Sequence, residues 1–140
     1  MPFKIPVQLY IIHFALMLSP AFLAFALYFI VESQPTDIAG STEDIPVYQF
    51  TAAILAIIAV AFAQLTPRFI TREKSTLPMQ RYVSMKIIQW ALVEMAAIFI
   101  GITYFLTHQA NMLVPMGILI AVIAFMRPTV DELMRYNVKG

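Results

Sequence analysis

The sequence predicts an all-α, polytopic membrane protein whose four transmembrane helices form two tandem hairpins, with both termini cytoplasmic. Composition is the first reason. Hydrophobic residues make up 61% of the 140-residue chain and charged residues only 12%, against roughly 45 to 50% and about 25% in soluble domains. So little charge cannot coat a water-soluble globule, which makes lipid the solvent. The second reason is that the apolar residues fall in four continuous stretches, 7–31, 47–65, 87–106 and 112–127. Each is near the about 20 residues that a helix needs to cross a bilayer core. Continuous runs exclude a β-barrel, whose strands alternate. The third reason is the placing of Lys and Arg, whose excess marks cytoplasmic connections.

The first span follows Lys4, and Ala24-Phe25-Ala26 resembles a signal-cleavage site. The apolar run nevertheless continues to Val31, so the expectation is a retained helix. Pro20 near its middle frees a backbone carbonyl and kinks the helix, as a hinge or as a static packing shape. The connection that follows carries Glu32, Asp37, Glu43 and Asp44 and no cation. In the second span Ala52, Ala56, Ala59 and Ala63 share one helical stripe, suited to close packing within the chain or against another subunit.

The middle connection holds Arg68, Arg72, Lys74, Arg81 and Lys86, a set that could also meet anionic lipid headgroups. The third span carries Glu94, and the third connection, Thr107 to Asn111, has only His108 as a titratable group. The fourth span is the shortest and has Pro115 in its first turn, consistent with a locally thinned bilayer. It closes on Arg127-Pro128, after which Asp131 and Glu132 suit the first turn of a short amphipathic helix at the cytoplasmic surface. The units are thus a first hairpin (1–65), a basic cytoplasmic connection (66–86), a second hairpin (87–127) and a cytoplasmic tail (128–140). Tyr28, Tyr48 and Tyr104 anchor the outer interface, and Tyr82, Trp90 and Tyr136 the inner one.

An internal repeat supports the paired hairpins. Ile11 to Val31 laid over Ile87 to Thr107 matches Ile11/Ile87, Ile12/Ile88, Ala15/Ala91, Leu16/Leu92, Ala21/Ala97, Tyr28/Tyr104 and Phe29/Phe105. Ile54-Leu55 and Ala61-Phe62 recur as Ile118-Leu119 and Ala124-Phe125, followed by Pro67 and Pro128 respectively. An even number of spans per unit makes this a parallel repeat about an axis along the membrane normal.

Glu94 is the one carboxylate inside a span, and its repeat equivalent is Leu18. At 1.5 Å per residue it lies roughly 10 Å below the inner surface, where a charge is costly and faces a partner or a cavity. Trp90, Ala91, Ala97, Ile98 and Gly101 share its helical face. Ala97 and Gly101, spaced for close approach of another backbone, place Glu94 at a helix–helix interface. It could carry a proton or cation, bind a second protein, or bond Ser19, Thr51, Gln64 or a backbone carbonyl within the bundle. His13 and its repeat partner Gln89 lie at one inner level and read as interface polar residues. Haem ligation by His13 would need a ligand beyond this chain's histidines, because His108 belongs to the other side.

What is missing narrows the function further. Zero cysteines exclude disulfides and thiolate metal sites, and a net charge of +1 gives no pull on nucleic acid. The sequence has no phosphate cradle, HExxH pair, Ser/His/Asp set or paired carboxylates at one depth. No catalytic residue, metal or cofactor is expected, and the partners are the lipid bilayer and other membrane subunits or further copies of the chain. The leading expectation is a small non-catalytic membrane protein, an accessory or assembly subunit acting through helix contacts.

The run Ala91-Leu92-Val93-Glu94-Met95-Ala96-Ala97-Ile98-Phe99-Ile100-Gly101 resembles the ion-binding helix of the proteolipid (c) subunits of rotary ATPases. In that family the carboxylate of an Ala-Leu-(Val/Ile)-Glu context carries a proton or sodium ion. A duplicated hairpin keeping one carboxylate is similar to the vacuolar form. The resemblance implies that Glu94 is the ion carrier of a homo-oligomeric ring. The family sets its carboxylate on the second helix of a hairpin, whereas Glu94 falls on the first helix of the second.

Overall fold

A computed structural model describes residues 4–33, 45–71 and 76–139, with the side chain of Lys139 left aside. Asp37, Glu43, Asp44, Arg72 and Lys74, all used above to orient the chain, lie outside the described residues. The chain is all-α apart from one small pairing: α1 (Val7–Ser33), α2 (Ile45–Thr71), β1 (Leu77–Pro78), α3 (Met79–Thr107), a 3-10 turn (Ala110–Met112), α4 (Leu113–Phe125), α5 (Val130–Arg135) and β2 (Val138–Lys139).

Three of these helices, α1, α2 and α3, are long and apolar enough to cross a membrane. The fourth apolar stretch is shorter. α4 has 13 residues, which at 1.5 Å each reach only about 20 Å, less than the roughly 30 Å of a bilayer core. The helices also run past the apolar stretches, since α2 continues to Thr71 and α3 begins at Met79. Most of the expected connection 66–86 is therefore helical. Hydropathy marks the part of a helix that needs lipid, and the polar end turns stay helical beyond it.

α3 is the axis of the molecule. It packs extensively against α1, α2 and α4, and α1 packs against α4, whereas α1 and α2 are not an extensively packed pair. The two helices of the expected first hairpin thus meet α3 rather than each other. Half of the apolar window of α3 is buried (50%), but only 11% of that of α1 and 6% of that of α2. Val93, Ala97, Ile100 and Tyr104 of α3 form the core with Met116, Leu119 and Ile123 of α4. Phe22, Phe25 and Phe29 on α1 and Phe50, Ile57 and Phe62 on α2 face outward.

Gly101 shows why a small residue is needed on α3. A Cβ built there would lie 3.1 Å from Leu27 Cδ1, 3.4 Å from Leu23 Cδ2 and 3.3 Å from Met116 Cε. α1 and α4 close over α3 at this point because the side chain is absent. The same contacts set helix direction. The late residues of α1 and the early residues of α4 meet Gly101, while early His13 reaches late Ile123, so neighbours in sequence alternate in direction.

The end of α3 is closed by His108 in the left-handed conformation (φ 53°), whose N–H bonds Tyr104 O. The tail folds back on the other end. β2 pairs parallel with β1, Leu77 opposite Val138, and Leu77, Leu133 and Val138 are buried together beside the start of α3. The expected amphipathic tail is therefore docked on the bundle as α5 and β2.

Candidate functional site

Two polar regions lie on α3, and they differ in whether their groups are partnered. The first is a belt at its N-terminal end. α4 stops short, and the last carbonyls of a helix run out of intrahelical donors; Met126 N–H serves both Val122 O and Ile123 O, at 3.0 and 3.1 Å. Two of the groups at this end find side chains. Nε2 of His13 lies 2.7 Å from Ile123 O, and because a carbonyl only accepts, the imidazole is the donor. Nε1 of Trp90 donates to Met126 O at 2.9 Å. The two rings touch, with centroids 4.8 Å apart.

A proline explains a third bond of the belt. Pro67 sits inside α2 and carries no N–H, so the carbonyl four residues earlier, Ala63 O, loses its helical donor. Nε2 of Gln89 donates to it at 2.8 Å. Pro67 had been read as following its helix, as Pro128 does; instead α2 runs through it. Ala52 and Ala63 are buried, Ala56 and Ala59 are half-buried, and the stripe they form lies on the helix that packs against α3.

Glu132 ties the tail to the belt. Its carboxylate accepts from Lys86 Nζ at 3.0 Å and from Tyr82 OH at 3.0 Å. Thr129 caps α5, its Oγ1 accepting from Glu132 N at 3.3 Å. The Lys86 side chain is 2% exposed and that of Glu132 30%, so the lysine is the member that depends on the pair. Lys86 Nζ also stands 5.7 Å from the centre of the Trp90 ring. Nearby, burial and then the charge of Glu132 push the Tyr136 phenol above its ordinary range, against the pull of Arg135. It remains a neutral hydroxyl.

Sequence reasoning treated Lys86 as a loop cation, Tyr82 and Trp90 as interface anchors, and Glu132 as a helix-start acid. The structure makes all four parts of one network. Pro67 was the available signal, because a proline four residues past Ala63 announces an orphaned carbonyl. The Lys86–Glu132 pair is separated by most of the second half of the chain and carries no local signature.

The second region is Glu94. It lies half-buried on α3, one turn beyond Trp90 and beside Met95, which is 69% exposed. Among the described residues no hydrogen bond or ion pair involves its carboxylate. Ser19, Thr51 and Gln64, the partners expected within the bundle, are exposed and do not reach it. Ala97 and Gly101, on neighbouring turns, are buried, and Gly101 meets α1 and α4. Pro20 is buried in α1, whose helix continues through it.

Beside the belt is a cavity of about 670 Å³ between the ends of α2 and α4, where α3 and α5 close it. Lys86, Gln89 and Glu132 line it together with Arg68, Arg127 and Arg135. No protein-family model, curated protein or solved structure matches this chain. Its function must therefore be read from these two regions.

Proposed function

We propose that this chain is a small, multi-pass subunit of the inner membrane, with both termini cytoplasmic, that acts through helix contacts as an accessory or assembly component of a larger membrane complex. One observation carries the reading: Glu94 is the carboxylate inside a span, half-buried and unpartnered among the described residues. A carboxylate at that depth is expensive unless something meets it, and the bundle supplies side-chain donors even to the carbonyls of Ala63 and Met126. A polar group of a second membrane chain fits the vacancy. The thinly covered apolar faces of α1 and α2, 11% and 6% buried over their spanning windows, leave room for such neighbours. With α4 short, the fourth crossing involves local thinning of the bilayer or the 3-10 turn ahead of it. The surplus of Lys and Arg on the α2–α3 side supports the orientation.

The test is the native mass and composition of the tagged protein, extracted gently from its own membranes. Recovery at low copy number in a larger assembly supports the reading. A lone monomer that mediates solute flux by itself contradicts it.

The unpartnered state of Glu94 also favours a second reading, the proteolipid-like carrier in which it binds a proton or cation. A carbodiimide that attacks protonated buried carboxyls then labels Glu94, and sodium or raised pH blocks the labelling. A homo-oligomer of many copies would accompany it. Absence of labelling under every condition counts against the carrier.

A further inference from the structure

We infer that the cavity between the ends of α2 and α4 is a binding site for an anionic phospholipid whose phosphodiester headgroup bears a free hydroxyl. Charge is the first argument. Four cations line the cavity against one carboxylate, and that carboxylate is engaged by Lys86. This leaves Arg68, Arg127 and Arg135, all exposed at the rim, with no ion pair among the described residues. Guanidinium groups bind phosphate oxygens in fork geometry and are the side chains suited to that ligand.

A buried acceptor is the second and independent argument. Gln89 lines the cavity and is 4% exposed. Its amide nitrogen is committed to Ala63 O, and its Oε1, an acceptor, is buried with no hydrogen-bond partner among the described residues. A buried acceptor left alone costs its full desolvation penalty, and an anion cannot satisfy it. It requires a donor. A glycerol-type or inositol-type headgroup supplies both the phosphate for the arginines and a hydroxyl for Oε1.

The walls supply the third argument. Pro67, Val122 and Phe125 line the same cavity, and Phe125 is 88% exposed. Apolar walls that open toward lipid beneath a rim of arginines suit a headgroup still attached to its acyl chains. Basic pockets between helices on the cytoplasmic side are suited to such headgroups. The inference rests on the chain's lying in a bilayer, and it is independent of what Glu94 meets.

The experiment uses the full chain, purified in mild detergent and offered phosphatidylglycerol, phosphatidic acid and phosphatidylcholine in competition, with retained lipid counted by native mass spectrometry. Phosphatidylglycerol is expected to dominate. Each of Arg68→Gln, Arg127→Gln and Arg135→Gln should lower its retention about fivefold, the effect of one cation at an anionic surface. Gln89→Leu should erase the preference for phosphatidylglycerol over phosphatidic acid while leaving both above phosphatidylcholine. Emission from Trp90, the single tryptophan, reports whether each variant keeps its fold. Displacement of phosphatidylglycerol by millimolar inorganic phosphate would keep the anion site but assign its occupant to a soluble phosphate, overturning the lipid. Equal retention of all three lipids by the wild type, or retention unchanged in folded arginine variants, would overturn the site altogether.

Discussion

Trp90 and Glu94 stand about one helical turn apart on α3, yet their surroundings are opposites. Around Trp90 the buried polar side chains have partners among the described residues, the Gln89 oxygen excepted: His13 and Trp90 serve the end of α4, Gln89 serves the carbonyl that Pro67 orphaned, and Lys86 serves Glu132. Around Glu94 nothing among the described residues answers the carboxylate. The difference teaches how to sort polar residues in an apolar chain. Those of the belt repair defects of the backbone, namely a short helix and an internal proline, and so belong to the fold. Glu94 bonds nothing among the described residues, which makes it the residue to which an external role attaches.

The comparison can be broken most severely at the belt. Glu132→Gln leaves Lys86 buried without its counter-charge and should cost about 3 kcal/mol, the lower end for unpairing a buried ion; thermal unfolding in detergent measures it. Replacing both members, Lys86→Met with Glu132→Leu, should restore much of that loss, since an apolar pair strands no charge. Gly101→Val comes next. Its side chain would meet Leu27 and Met116, and overpacking of this kind costs typically 1 to 3 kcal/mol. Gly101→Ala should cost less, because the atoms met are the far ends of flexible side chains.

Pro67→Ala sharpens the account of Gln89. Restoring an N–H at position 67 gives Ala63 O a helical donor again, so Gln89→Leu should be less damaging in the Pro67→Ala background than in the wild type. A double-mutant cycle is the measurement, with a coupling of about 1 kcal/mol expected for one hydrogen bond. The smallest effect on stability should come from Glu94→Gln. It removes no internal bond, so unfolding should shift by no more than about 0.5 kcal/mol. Its effect should fall on assembly instead.

Much of the fold could be read in the sequence because lipid imposes a single strong constraint. The apolar stretches locate α1, α2, α3 and the shorter α4, and the small residues at 97 and 101 mark a close approach. The arrangement was less legible. Nothing local says that α1 and α2 meet α3 rather than one another, because all their apolar faces look alike to a pattern of hydropathy. The docking of the tail rests on Leu133, Val138 and Glu132 meeting α3 across long sequence separations. Of the two polar regions, Glu94 was conspicuous because it interrupts an apolar run. The belt was hidden because its members sit at helix ends, where cations and aromatics are ordinary interface residues.

The most direct test of the central claim is contact at the position of Glu94 in native membranes. A photocrosslinking amino acid placed at the exposed neighbouring position, Met95, keeps the carboxylate intact. The account predicts an adduct with a second protein chain, lost when Glu94→Gln is added. Adducts with lipid alone, or an unchanged protein adduct in the Glu94→Gln background, would contradict it.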